Sequence, residues 1–279
     1  MKLRTKILIG LALVGTLLAT WAFLIEPGSF RINEERISVP KWPAACNGKR
    51  IAVLADLHVG SPHKGIDSLR DLVKKVNMAK PDLILMPGDF VIQGVVGGSY
   101  VTPEAAGKVL GQLTAPMGVF AVLGNHGWWF DAKRVGLALS QNNITMLEDA
   151  SQKLTAGNCR LRLVGITDFW EGPFNVKQAM AGIKPDESVI AFTHNPDIFP
   201  ILPQAIALTI AGHTHGGQVC FPFVGCPVVP SKFGQLYARG HVMEDGKHLY
   251  VSSGVGTSII PVRFLVPPEV SMLEIHHSK

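Results

Sequence analysis

Charge is scarce in this chain. Only 17% of its 279 residues are Asp, Glu, Lys or Arg, and part of the net charge of +5 is packed into the first six positions as Lys2, Arg4 and Lys6. No long Lys/Arg run and no basic helix occurs, so the electrostatic footprint of a nucleic-acid-binding protein is missing and no nucleic-acid partner is expected. Cysteine is sparse too: Cys46, Cys159, Cys220 and Cys226 lack zinc-ribbon spacing, which excludes a cysteine-built metal site. Cys220 and Cys226 bracket a short loop and could pair in an oxidising compartment. The simpler reading, adopted here, keeps all four as small buried hydrophobes. Internal repeats and low-complexity tracts are also absent.

Apolar residues, by contrast, are plentiful at 47%. Residues 7–25 contain no charge and follow the basic flank 1–6. At helical rise that run spans about 29 Å, roughly one bilayer core. A cleaved signal peptide would have a shorter apolar region and a small-x-small exit, and apolar residues continue past Thr20-Trp21-Ala22. A buried core helix would not carry a basic flank ahead of an all-round apolar run. Residues 7–25 are therefore expected to be a single-pass anchor, 26–48 a linker leading to an edge strand, and 49–279 the globular domain. The positive-inside bias puts that domain on the extracytoplasmic side of a cytoplasmic membrane.

Short apolar runs at 51–55, 83–86, 119–123, 161–166, 189–193 and 208–210 read as buried strands. Residues 236–241, 248–252 and 270–275 alternate like half-exposed ones. Helical periodicity covers 66–78, 103–113 and 131–142, the last with Asp131 as cap. Strands alternating with helices, then mostly strands, predict an α/β fold: a two-sheet β-sandwich core flanked by helices.

The chemistry sits where these strands end. Asp56-Leu57-His58 follows IAVLA, Gly88-Asp89 follows LILMP, and Gly124-Asn125-His126 follows VFAVL. His194-Asn195 follows VIAFT, and Gly212-His213-Thr214-His215 follows ALTIA. Each block alone is an ordinary turn. Five of them at strand exits are how an α/β scaffold gathers a metal site from hard oxygen and imidazole donors. The donors exceed what one ion needs, which favours two metals sharing a carboxylate and hydrolysis at phosphorus.

In order and character the blocks resemble the calcineurin-like metallophosphoesterase family, over about Arg50 to Ile275. The strings GHTHGGQ (212–218) and SSGVGTS (252–258) resemble its membrane-associated bacterial branch, which includes UDP-2,3-diacylglucosamine hydrolases. The resemblance implies that Asp56, His58 and His215 hold one divalent ion, that Asn125, His194 and His213 hold another, and that Asp89 bridges them. Mn, Fe and Zn all suit such ligands. It further implies hydrolysis of a phosphodiester, phosphomonoester or pyrophosphate by metal-bound hydroxide, with His126 as the catalytic residue and a lipid-linked or UDP-diacylglucosamine-like substrate. An extracytoplasmic domain would not meet cytosolic sugar nucleotides, so the topology and that substrate pull against each other.

The family usually reads GNHD where this chain has Gly127. Losing that aspartate removes an orienting partner for His126; Asp131 is the candidate substitute. A catalytically weak metal-binding scaffold is the alternative reading, and a single-metal peptidase or deacetylase a third. Trp128-Trp129-Phe130 and the loop 220–233 could form apolar walls for a lipid, or simply pack. Arg263 could clamp a phosphate, although a paired surface arginine is the plainer expectation. The 252–258 turn could offer amides to a phosphate, although Gly/Ser turns between strands are commoner.

Overall fold

Strands buried on both faces read as continuous apolar runs, and here they build two stacked sheets. In the computed structural model, which describes residues 3–278, the chain passes through β1 (Arg31–Val39), β2 (Lys49–Val53), β3 (Leu83–Pro87), β4 (Val119–Val122) and β5 (Thr145–Met146). It continues through β6 (Ala150–Ala156), β7 (Cys159–Gly165), β8 (Val189–Phe192), β9 (Ile206–Ala211), β10 (Gly240–Glu244) and β11 (Lys247–Val251), and ends in β12 (Glu269–His277). The first sheet has the order β1-β12-β2-β3-β4-β5, the second β10-β11-β9-β8-β7-β6.

Alternation on β2 shows how the layers form. Ile51 and Val53 point between the sheets, with Leu85, Ile190, Phe192 and Leu208. Ala52 and Leu54 point outward onto the helices, as the two-residue period of a strand requires. Each such side chain, fully buried, contributes about 1.5–3 kcal/mol over exposure. The outer face of the first sheet is covered by α2 (Ile66–Met78), α3 (Pro103–Leu110) and α4 (Asn125–Ser140). Leu69, Leu72, Val73 and Val76 supply the inward stripe of α2. Thr102 caps α3 by accepting the Ala105 N–H. The helix expected from residue 131 starts earlier, at Asn125, and breaks at Asp131, whose carboxylate accepts the Arg134 N–H at 2.9 Å and caps the second segment.

β2, β3 and β4 run parallel, as do β7, β8, β9 and β11. The carboxyl ends of the central strands therefore meet at one end of the sandwich. β12 runs antiparallel to β2, pairing Ser271 with Val53, and parallel to β1, pairing Glu269 with Arg31. The start of β1 thus lies at that same end.

Several expectations need correction. β1 falls inside the segment 26–48, and β6 was not anticipated; both are sheet edges. Edge strands bury little and carry charge, so a search for apolar runs passes over RINEERISV and ASQKLTA. Residues 236–241 are not one strand: a 3-10 turn spans Gly234–Tyr237 and β10 begins at Gly240. Tyr237 turns inward against Phe199 and Phe233, and this breaks the extension. Nor are the cysteines free thiols. Cys46 pairs with Cys159 and Cys220 with Cys226.

The N-terminal helix α1 (Leu3–Thr20) runs on through a π-turn, Trp21–Ile25. Among the described residues it is the one helix long and apolar enough to cross a membrane. No residue of α1 is buried, so the core-helix alternative is overturned.

Candidate metal centre

Five of the seven side chains expected to ligate metal stand on left-handed backbone: Asp56 (φ 51°), His58 (φ 40°), Asp89 (φ 57°), His213 (φ 72°) and His215 (φ 52°). A non-glycine residue pays roughly 1–3 kcal/mol for that conformation, and such strain clusters where side chains must be aimed. The neighbouring glycines make room. A Cβ on Gly124 would lie 2.3 Å from Asp89 Oδ1, and one on Gly212 would lie 2.7 Å from Asp56 Oδ2. The turn glycines read from sequence are therefore also close-approach glycines.

All seven side chains converge, and all are buried. His58 Nε2 lies 3.1 Å from His215 Nε2, and His215 Nε2 is 3.7 Å from Asp56 Oδ1. On the other side, Asn125 Oδ1 is 3.0 Å from His194 Nε2 and 3.1 Å from His213 Nδ1, and those two nitrogens are 3.0 Å apart. Asp89 Oδ2 stands between the groups, 3.4 Å from His58 Nε2 and 3.3 Å from His194 Nε2. Ligands about 2.0–2.1 Å from one ion sit about 3.0–3.4 Å from each other. Crowded acceptor atoms of this kind have too few protons between them, so the donor set fits cations. Among the described residues, three overlapping trios have donor atoms within 4.8 Å of one another: Asp56/His58/His215, His58/Asp89/His126 and Asp56/Asp89/His194.

Surrounding groups hold these donors in place. Pro87 O lies 2.8 Å from His194 Nδ1 and accepts its proton, which leaves Nε2 facing the site. The His213 N–H donates to Asp56, and the His126 N–H to Asp89 Oδ1. Burial, reinforced by neighbouring imidazoles, holds His213 and His215 well below the usual histidine range, as the neutral form a metal requires. Burial pushes Asp56 up to about 6, with Asp89 adding to the rise and His194 opposing it. At His194 burial acts downward, but the charge and hydrogen bond of Asp89 together with the charges of Asp56 and Asp168 outweigh it, raising the group to about 10. An incoming cation would displace that proton.

Two elements pass for something else in the sequence. Arg263 is neither a surface residue nor a phosphate clamp. It is fully buried, and its guanidinium donates to the carbonyls of His215, Val266, Ser253, Gly254 and Gly256. It ties the last ligand loop to the 252–258 turn. Most amides of that turn are already engaged: Val255 N–H donates to Ala55 O and Gly256 N–H to Asp56 O. The turn braces Asp56 and His58 from behind, where a Cβ on Gly254 would lie 2.6 Å from Asp56 Cβ.

A sixth strand end also contributes. After β7, Asp168 is fully buried with Oδ1 unpartnered among the described residues, and the Trp170 ring meets His213 edge-on at 4.3 Å. An aspartate just past an apolar run is the signal of the Gly88-Asp89 block, without the glycine directly before it or a histidine beside it. His126 lies against His58 (ring centroids 4.7 Å) and Trp129 (5.0 Å). Asp131, exposed and engaged in capping, does not orient it, and His126 Nδ1 has no partner among the described residues. The aromatic trio divides: Trp128 and Phe130 pack on the helical core, while Trp129 is exposed beside His126.

The chain is similar in sequence to known proteins. Residues 49–217 match the calcineurin-like phosphoesterase family. The chain is 32% identical to the phosphodiesterase YaeI of Escherichia coli, covering 90% of each chain. It is 27% identical to the uncharacterised metallophosphoesterase YkuE of Bacillus subtilis (91% of this chain, 88% of the other). It is also 27% identical to the UDP-2,3-diacylglucosamine pyrophosphatase LpxG of Chlamydia trachomatis, covering 91% of each. Strand-end donors, sandwich and sequence agree: the chain belongs to the calcineurin-like phosphoesterase family and is a phosphoesterase hydrolase.

Proposed function

We propose a membrane-anchored phosphoesterase with a dinuclear centre, in which Asp56, His58 and His215 hold one divalent ion, Asn125, His194 and His213 hold the other, and Asp89 bridges. The observation that carries this reading is the position of Asp89 Oδ2, 3.4 Å from one group and 3.3 Å from the other. Mn, Fe or Zn suits the mixed imidazole and oxygen set. Bound there, two such ions supply an acidified water and neutralise charge on the phosphate oxygens.

The protein's own residues do the rest. Pro87 O and the 252–258 turn hold the donors in register, and burial excludes competing water. Burial lowers His126 to about 4, so at neutral pH it is an uncharged imidazole. It would act by donating a hydrogen bond to the leaving oxygen rather than as a resident cation. His126→Ala is expected to lower kcat by about 10²–10⁴-fold with metal content unchanged; an unaltered kcat would remove His126 from the chemistry.

A lipid-linked phosphate ester is the favoured substrate class. The apolar helix Leu3–Ile25 supports it, as does the similarity to LpxG, whose name specifies a diacylated sugar nucleotide. Two disulfides suit the extracytoplasmic side, where a lipid-linked ester other than a cytosolic sugar nucleotide would be met. Full-length protein supplied with Mn is expected to hold about two ions per chain and to hydrolyse an aryl phosphodiester. One ion per chain would favour the single-metal hydrolase, and metal without turnover the scaffold.

A further inference from the structure

The end of the sandwich that carries the metal centre also carries most of the exposed apolar side chains beyond the N-terminal helix. Phe223 is fully exposed and Val228 75% exposed, on the loop that follows the last ligands; Ile259 is 71% exposed and Leu265 46%, on a second loop. They form one surface. Cys220 N–H donates to Phe264 O and Phe264 N–H to Gln218 O, each at 2.9 Å, and the Phe221 and Phe264 rings meet at 5.7 Å. The loop 94–100 joins them through Val96 N–H to Ile259 O.

This surface is fastened to the end of the apolar helix. Arg263 N–H donates to Ala22 O at 2.9 Å. Glu26, 3% exposed, accepts from the amides of Leu265 (3.0 Å) and Val266 (2.7 Å) and from Trp21 Nε1 (2.6 Å). A buried carboxylate with three donors is a rigid joint. It holds the loops at the level where the helix ends.

Charge at that level is complementary to a lipid surface. Directly after the helix, a cavity of about 580 Å³ is lined by Gly28, Ser29, His63, Lys64 and Lys75, with Asp71 as its one acidic wall residue. Lys64 is 5% exposed and donates to Ser29 O at 3.0 Å; burial, with the charges of Arg263 and Lys75, lowers it to about 7, so it is charged only in part at neutral pH and an entering anion would draw the proton onto it. None of the seven convergent metal-site side chains lines this cavity.

We propose that this end of the domain rests on an anionic bilayer: the loops around Phe223 and Ile259 enter the interface beside the helix, and the Lys64/Lys75 cavity faces the phosphate layer. The proposal rests on the membrane-anchored reading above and deepens it, because it turns the metal centre toward lipid-borne esters. Amphipathic surfaces of this kind bind through buried apolar area plus attraction to anionic lipid.

The test uses the full-length chain in bilayer discs of phosphatidylglycerol and phosphatidylcholine with brominated acyl chains. Phe223→Trp and Ile259→Trp are compared with Met78→Trp, which is 71% exposed at the far end of α2. The added emission of the first two is expected to fall at least about twofold relative to unbrominated discs, and that of Met78→Trp to stay constant. Equal behaviour at all three positions would overturn the docking face, even if the protein proved dimeric through these loops. Loss of the quenching difference only when phosphatidylglycerol is omitted supports the basic cavity; quenching indifferent to phosphatidylglycerol and to Lys75→Gln would overturn its role. Quenching reads position and not turnover, so failure here leaves the phosphoesterase reading intact. An inactive enzyme would leave this test equally valid.

Discussion

Asp89→Ala is expected to lower hydrolysis by at least about 10³-fold and to empty both metal positions together. The reason is geometric. Oδ2 faces His58 and His194 at 3.4 and 3.3 Å, while Oδ1 accepts the His126 N–H at 3.0 Å. One substitution therefore removes a donor from each half of the site and unfastens the first turn of α4. Asp56→Ala removes a donor assigned to one half only, with Oδ1 3.7 Å from His215 Nε2, and should spare more of the second ion. Elemental analysis of metal per chain, beside the rate on an aryl phosphodiester, separates the two variants. An Asp89→Ala protein that keeps both ions, or turns over at the parent rate, would remove the bridge. Asp89→Asn is the gentler control, because asparagine tolerates the φ of 57° found there.

Breaking the Cys46–Cys159 disulfide is expected to cost about 4–5 kcal/mol of stability, on the chain-entropy account of a loop closed across 113 residues. The bond joins the turn between β1 and β2 to the first residue of β7, so it ties the two sheets together across their shared core. Cys220–Cys226 closes only 6 residues and should contribute about 2 kcal/mol on the same basis. Urea unfolding of a Cys46→Ala/Cys159→Ala chain, against the parent with and without reductant, measures both. A midpoint unmoved by reductant in the parent would show that neither bond supports the fold.

The buried interior strands were readable because burial on both faces leaves an unbroken apolar run, as in LILMP or VIAFT, and helix α2 because Leu69, Leu72, Val73 and Val76 repeat at helical spacing. Edge strands β1 and β6 escaped because half their residues face water, and so they keep their charges. The donor blocks were visible because each stands just past a strand. Asp168 was not singled out, since it carries neither a neighbouring histidine nor the glycine that stands directly before Asp89, and so reads as an ordinary turn residue.

By itself the sequence determined which side chains are available for metal and phosphate chemistry, and that they leave buried strands one loop at a time. That information is local, carried by residue type and by two- and 3.6-residue periods. Tertiary structure alone decided how those loops meet: that Asp89 faces both donor groups, that Arg263 pins backbone carbonyls instead of clamping substrate, and that Cys46 finds Cys159. Such pairings join residues far apart in the chain, and their partners are set by sheet order and strand direction. No local pattern encodes either.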